Sequence, residues 1–85
     1  MDERDDYTSL MWLGGRAAER LYKFGDATGF YPRYADAART AQTRAKGYYW
    51  AGRMAERQGG RQAAIAYYEA AARYYDHFHG QLALE

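Results

Sequence analysis

Residues 45–72 read AKGYYWAGRMAERQGGRQAAIAYYEAAA, two alanine-rich stretches separated by Gly59-Gly60. Neither stretch alternates apolar and polar residues as a half-buried β-strand does, and alanine is the strongest helix former. A glycine pair between two such stretches is typical of a helix end followed by a tight turn. The segment therefore predicts two antiparallel helices joined as a hairpin.

Small and aromatic residues recur within this hairpin. If Gly52 and Ala64 face each other, the two helices can approach closely, and Tyr48 and Tyr68 fill the space on either side. With a glycine at the turn and Ala71 as the next small position, this order resembles a tetratricopeptide repeat (TPR).

The chain also repeats itself. GRAAER at 15–20 recurs as GRMAER at 52–57, which is 37 residues later, and YADAAR at 34–39 recurs as YEAAAR at 68–73, which is 34 residues later. A period of about 34 to 40 residues built from two helices is typical of helical solenoids. The sequence therefore predicts an all-α chain of antiparallel helical hairpins, stacked as a TPR-like α-solenoid fragment.

We expect four parts along the chain: an acidic disordered end at 1–6, a first hairpin at 7–43, a second TPR-like hairpin at 44–76, and a further helix that starts within 77–85 and is truncated. The predicted helices span about 7–24, 31–43, 44–58 and 61–75. Gly25 is expected to end the first helix, and Pro32 to lie in the first turn of the second. The first hairpin departs from the pattern, because Phe30 stands where a small residue is expected. Open apolar ends predict that the isolated fragment self-associates or is only marginally stable.

Composition excludes several classes of site. The 85 residues contain no cysteine, which rules out disulfides and thiolate metal sites. The net charge is +1, and it is +4 without residues 1–6, where 11 basic and 7 acidic residues remain. That bias is too small and scattered to indicate nucleic-acid binding. No apolar run approaches the roughly 20 residues of a membrane span, and no signal peptide is evident at the start.

One family resemblance covers most of residues 10–84. The helix at 45–57, the turn at Gly59, the helix at 63–72 and FHGQLA at 78–83 resemble the helical region of soluble lytic transglycosylases. In that family a YWAGR-A helix, a GD turn, an AA-YYE-AA helix and an FYGQLA segment follow one another at this spacing. Here Gly60 and His79 replace the usual aspartate and tyrosine. The WLGGR segment at 12–16 is similar to the preceding helix of the family.

The resemblance implies a scaffold without a catalytic centre. Family members cleave peptidoglycan glycan strands without water, using a glutamate followed by serine in a separate C-terminal lysozyme-like domain. None of the five glutamates here precedes a serine. The resemblance thus implies a non-catalytic periplasmic segment of such a peptidoglycan lyase. It would contact the parent's own catalytic domain and help to position glycan strands, with no cofactor. The alternative is a TPR-like protein–protein interaction module, and an enzyme domain encoded downstream would separate the two.

Other possible chemistry has ordinary explanations. Glu69 precedes Arg73 by four residues, the spacing of a helix ion pair, so we do not expect it to form a catalytic pair with Glu56. His77 and His79 have only Asp76 as a nearby third ligand, so a metal site is not expected. Neither Gly-Gly pair is followed by the lysine and hydroxyl residue of a phosphate-binding loop.

The ten tyrosines are the most unusual feature of the composition. Several form adjacent pairs, and neighbouring helical residues point about 100° apart, so one member can pack while the other lines a surface. Aromatic faces could stack on sugars, although packing with the hydroxyl in water is the ordinary role. Two arginines occupy matching repeat positions and could bind neighbouring carboxylates or those of peptidoglycan stems. The candidate surface or partner contacts are Arg16, Arg53, Tyr49, Tyr67 and Tyr74.

Overall fold

A computed structural model describes residues 3–74 and 76–84, with side chains from residue 6 onward. The helices are α1 (Glu3–Arg20), α2 (Phe24–Ala37), α3 (Ala41–Gln58), α4 (Arg61–Ala72) and α5 (Phe78–Leu84). No strand occurs in the described ranges, so the all-α prediction is confirmed. Helix α1 begins at Glu3, within the end that we expected to be disordered. The predicted last residue of the fourth helix, Tyr75, lies outside the described residues.

The helices form two layers. Helix α2 packs against α1 and α3, α4 packs against α3, and α5 packs against both α3 and α4. The Cα atoms extend over 36 × 32 × 15 Å. Packed helices lie about 8–10 Å apart, and each has a Cα radius of about 2.3 Å. The short dimension therefore fits two layers, with α1, α3 and α5 in one and α2 and α4 in the other.

The two hairpins repeat with a single period. Helices α2 and α4 begin 37 residues apart, as do α3 and α5. A Cβ atom added at Gly15 would lie 2.5 Å from the Tyr31 ring, and one added at Gly52 would lie 2.7 Å from the Tyr68 ring. Each glycine therefore makes room for the tyrosine 16 residues later. That these hairpins form part of a solenoid remains a prediction.

This period corrects our pairing of the second helices. Tyr68 corresponds to Tyr31, at an offset of 37, and not to Tyr34. With that register, Ala27 takes the place of Ala64, and both are buried, so the small position of the first hairpin is not occupied by Phe30. Tyr48 also differs from expectation, because its hydroxyl donates to Asp36 on α2.

The end of α1 has a different cause from the one predicted. Tyr22 adopts a left-handed conformation with φ 58°, and its counterpart Gly59 has φ 90°. The amide of Lys23 donates to the carbonyl of Ala18 at 2.8 Å, and Gly60 donates to Ala55 at the same distance. Both helices thus end in a Schellman motif. Because Tyr22 takes the left-handed position, Gly25 is left inside α2.

Helix α2 starts seven residues before the predicted position and runs through Pro32. Proline in a helix interior removes one hydrogen bond and crowds the preceding turn. The helix persists because its buried residues, Ala27, Tyr31, Tyr34 and Ala35, follow helical spacing on both sides of the proline. Burial against α1 and α3 therefore outweighs the local preference that we read as a helix start.

The core is built from small residues and two large side chains. Tyr31 and Met54 are the largest fully buried side chains, and they cluster with Ala18, Ala27 and Ala51. Other glycines also bring the helices together. A Cβ at Gly47 would lie 2.7 Å from that of Ala35, and one at Gly80 would meet the carbonyl oxygen of Tyr74. These contacts hold α3 close to α2, and α5 close to the end of α4.

Candidate functional site

Cations and aromatic rings alternate along the valley between α1 and α3. Lys46 Nζ lies 3.9 Å from the centroid of the Trp12 ring. The guanidinium carbon of Arg16 lies 5.9 Å from Trp12 and 5.8 Å from Trp50, and that of Arg53 lies 5.6 Å from Trp50. These distances are within the range of cation–π attraction. We refer to these five residues as the valley.

Helical spacing places these side chains. Trp12 and Arg16 are four residues apart on α1, and Lys46, Trp50 and Arg53 follow at four and three residues on α3, so each set shares one helix face. The Trp12 ring packs against Tyr31 and Tyr34 of α2, with centroids 5.3 and 5.1 Å away. The second layer therefore fixes this ring, and Lys46 covers it.

Positive charge accumulates in the valley. Burial lowers the pKa of Lys46, and the nearby charge of Arg16 lowers it further. The pKa of His79 on α5 is lowered by burial and then by Lys46. Among the described residues the ion-pair partner here is Glu19, whose Oε2 lies 3.5 Å from Arg16 Nη1. The valley thus brings together more positive charge than neighbouring carboxylates neutralise.

One glutamate of each hairpin is paired with a tyrosine. The Tyr31 hydroxyl donates to Glu19 Oε2 at 3.0 Å. Burial raises the pKa of Tyr31, and the hydrogen bond to Glu19 raises it further. Glu56 and Tyr68, 37 residues on, repeat this pair, and the pKa of Tyr68 is raised by burial and then by Glu56. These two glutamates therefore serve the packing between the layers.

The structure brings together three of the five predicted contact residues. Arg16 and Arg53 both lie within cation–π distance of the Trp50 ring, and the Tyr49 hydroxyl accepts a hydrogen bond from Arg53 Nη1 at 3.1 Å. Tyr67 lies on α4 and packs against the buried core. Tyr74 lies in the turn after α4, near Tyr48. Burial raises the pKa of Tyr48 to about 12, and Asp36 and then Tyr74 add smaller contributions. Tyr67 and Tyr74 are therefore not part of the valley.

Sequence reasoning missed Trp12, Trp50 and Lys46 as site residues. The two tryptophans entered only as parts of segments that resemble the transglycosylase helices, and Lys46 carried no local signal, because its partner ring lies on another helix. Arg20 and Arg57, which line a cleft beside the valley, were visible as the last residues of the repeated GRAAER and GRMAER segments.

The residues considered as catalytic or metal-binding candidates have separate neighbours in the structure. Glu56 lies beside Tyr68, and Glu69 is an exposed residue of α4. The His79 ring packs against Tyr49, with centroids 5.5 Å apart. In the described ranges, no three His, Asp or Glu side chains are close enough to hold a metal ion.

Comparison of the chain with protein-family models, with curated proteins and with solved structures finds no match. None of the helices in the described part of the chain combines the length and apolar character that crossing a bilayer requires. The geometry of the valley and the resemblance noted in the sequence are therefore what bears on function.

Proposed function

We propose that this chain is a non-catalytic helical scaffold segment of a periplasmic peptidoglycan lytic transglycosylase. It supports or positions glycan strands for a separate C-terminal lysozyme-like domain, which carries out the cleavage. The valley between α1 and α3 is the surface that contacts the strand. The observation that carries the proposal is the alternation of three cations with two tryptophan rings along that valley.

This alternation suits a carbohydrate that bears negative charge. Indole faces stack on the faces of sugar rings, and the cations that lie over these rings in the free chain can bind the carboxylates of a ligand instead. Trp12, Trp50 and the three cations are all partly exposed. The Trp12 ring is held by Tyr31 and Tyr34 of the second layer, and Trp50 packs against the core, so little side-chain freedom is lost when a ligand binds.

The resemblance to the transglycosylase helical region also supports the proposal, since its motif residues have definite positions in the fold. Gly52 accommodates Tyr68, Arg53 lies against Trp50, and Gly80 lies against the end of α4. The quoted motif is therefore the set of residues that closes the second hairpin and docks α5.

A TPR-like protein-interaction module is the second candidate. The observation that favours it is an apolar stripe on α1, where Tyr7, Leu10 and Leu13 are exposed by 43, 63 and 63%. Residues at this spacing share a face of the helix, and contiguous exposed apolar surface is typical of protein-binding sites.

Cosedimentation with insoluble peptidoglycan sacculi tests the first proposal. The chain is incubated with purified sacculi, and the bound fraction is measured after centrifugation at low and high salt. We expect the chain to pellet with sacculi, and we expect Lys46→Gln with Arg53→Gln to reduce the bound fraction.

The matched control is Arg33→Gln with Arg61→Gln, which removes the same charge from exposed positions of α2 and α4. It should pellet as the parent chain does. If the parent chain stays in the supernatant, or if both double variants lose binding equally, the valley is not a glycan-binding surface.

A further inference from the structure

Three arginines converge on a cleft at one end of the valley. Arg16 and Arg20 reach it from α1 and Arg57 reaches it from α3, and Glu19 and Tyr22 complete its lining. The cleft has a volume of about 320 Å³. Arg20 and Arg57 lie in the last turns of their helices, so this cleft opens where α1 and α3 end side by side.

The cleft carries more positive than negative charge. Its one carboxylate, Glu19, accepts from Tyr31 at 3.0 Å and lies 3.5 Å from Arg16. Arg57 lies over the Phe24 ring at 5.6 Å. In the described part of the chain, neither Arg20 nor Arg57 forms an ion pair or hydrogen bond with a carboxylate. Two guanidinium groups are therefore available to an incoming anion.

We propose that this arginine cleft binds a carboxylate group carried by the glycan strand that lies in the valley. The inference rests on the proposed function, because it specifies which chemical group of the ligand the site reads. A guanidinium presents a planar fork of N–H donors that matches the two oxygens of a carboxylate. Arg20 and Arg57 supply two such forks, one from α1 and one from α3.

Arg16 links the cleft to the valley. It lines the cleft and also lies over both Trp12 and Trp50. A ligand that placed sugar faces along the valley would bring a substituent at its end within reach of Arg20 and Arg57. A polymer of sugars with carboxylate-bearing peptide stems has both features, whereas a neutral glycan has only the first.

Binding of three soluble ligands tests this inference. The first is a peptidoglycan disaccharide that carries its stem peptide, the second is the uncharged disaccharide of N-acetylglucosamine, which has no carboxylate, and the third is the free stem peptide. Affinities are measured by isothermal titration calorimetry for the parent chain and for Arg20→Gln with Arg57→Gln. Charge-assisted hydrogen bonds are the strong ones, so we expect the parent chain to prefer the stem-bearing ligand by about tenfold or more. The double variant should lose that preference and keep its affinity for the uncharged disaccharide.

The Arg33→Gln with Arg61→Gln chain is again the control, and circular dichroism verifies that every variant keeps its helices. If the cleft variant retains the preference for the stem-bearing ligand, the inference is overturned. If the parent chain binds both disaccharides equally, the cleft does not bind carboxylates, although the glycan proposal stands. If the parent chain binds the free stem peptide as tightly as the stem-bearing disaccharide, and the cleft variant loses both affinities, the cleft binds carboxylates but the glycan contributes nothing, and the proposed function falls.

Discussion

Replacing Gly52 with alanine tests the contact that closes the second hairpin. The added Cβ would lie 2.7, 2.8 and 3.0 Å from three carbon atoms of the Tyr68 ring. Ordinary carbon contacts are about 3.5–4.0 Å, so the ring must retreat by roughly 1 Å. It is not free to do so, because it packs against Tyr49 with centroids 5.9 Å apart and its hydroxyl lies beside Glu56.

Two opposing effects determine how much Gly52→Ala changes the free energy of unfolding. Overpacking of this kind costs about 1–3 kcal/mol, whereas replacing glycine by alanine inside a helix gains about 1 kcal/mol in propensity. Gly29 in α2 separates them, because a Cβ there meets nothing within 4 Å. We expect Gly29→Ala to raise the free energy of unfolding by about 1 kcal/mol. Gly52→Ala should lie about 1–3 kcal/mol below Gly29→Ala, and the larger Gly52→Leu should lie lower still.

Urea denaturation followed by far-ultraviolet circular dichroism measures both free energies. Adding Tyr68→Leu to each glycine variant completes the comparison, since a smaller side chain should relieve the crowding at Gly52 and leave Gly29→Ala unaffected. If Gly52→Ala stabilised the chain as much as Gly29→Ala, the packing of Tyr68 over Gly52 would be wrong, and with it our account of how the two layers meet.

Three further predictions concern the ends of helices, alkaline pH and the exposed face of α1. Gly59→Ala should lower the free energy of unfolding by about 1 kcal/mol, because a φ of 90° strains any residue other than glycine. Tyr22→Gly removes the same kind of strain at the end of α1 and should not lower the free energy of unfolding. Equal losses in the two variants on urea denaturation would contradict this. Burial raises the pKa values of four tyrosines in the folded chain, Tyr31, Tyr34, Tyr48 and Tyr68. The unfolded chain therefore releases the phenol protons at lower pH, and the stability present below pH 10 should fall as the pH rises above 10. Thermal melts from pH 8 to 11 with a constant midpoint would refute this. The exposed Leu10 and Leu13 should drive concentration-dependent self-association that Leu10→Asp abolishes in sedimentation velocity, and a parent chain that is monomeric at all concentrations would show that the stripe does not bind a second copy.

The second hairpin could be predicted from sequence more accurately than the first. Gly59-Gly60 marks a turn by composition alone, and α3 ends and α4 begins at the predicted residues. In the first hairpin the misleading signals were Gly25 and Pro32, which look like helix breakers but lie inside α2. The residue that does end α1 is Tyr22, and tyrosine gives no local indication of a left-handed conformation. Only the fact that Tyr22 lies 37 residues before Gly59, one repeat period, could have indicated that it ends a helix.

The candidate site was predictable only where it repeats. Arg16 and Arg53 were found because the same segment occurs twice in the chain. Lys46 and Trp12 were missed because their contact joins α3 to α1 and depends on which helices share a layer. Local spacing orders side chains on one helix, but it does not specify which neighbour a helix face will meet.

Residues that recur at the 37-residue period divide into two groups with different physical roles. Gly15 and Gly52, with the tyrosines that they admit, are required for the two layers to meet. Arg20 and Arg57 fill no space in the core, since both are exposed. A basic residue in the last turn of a helix is favoured by the helix dipole, typically by about 0.3–1 kcal/mol, and that accounts for each arginine singly. It does not account for their convergence with Arg16 on one cleft, because like charges that approach each other repel. An anion in that cleft would convert this repulsion into attraction, so the arrangement is better explained by binding than by the stability of the hairpins.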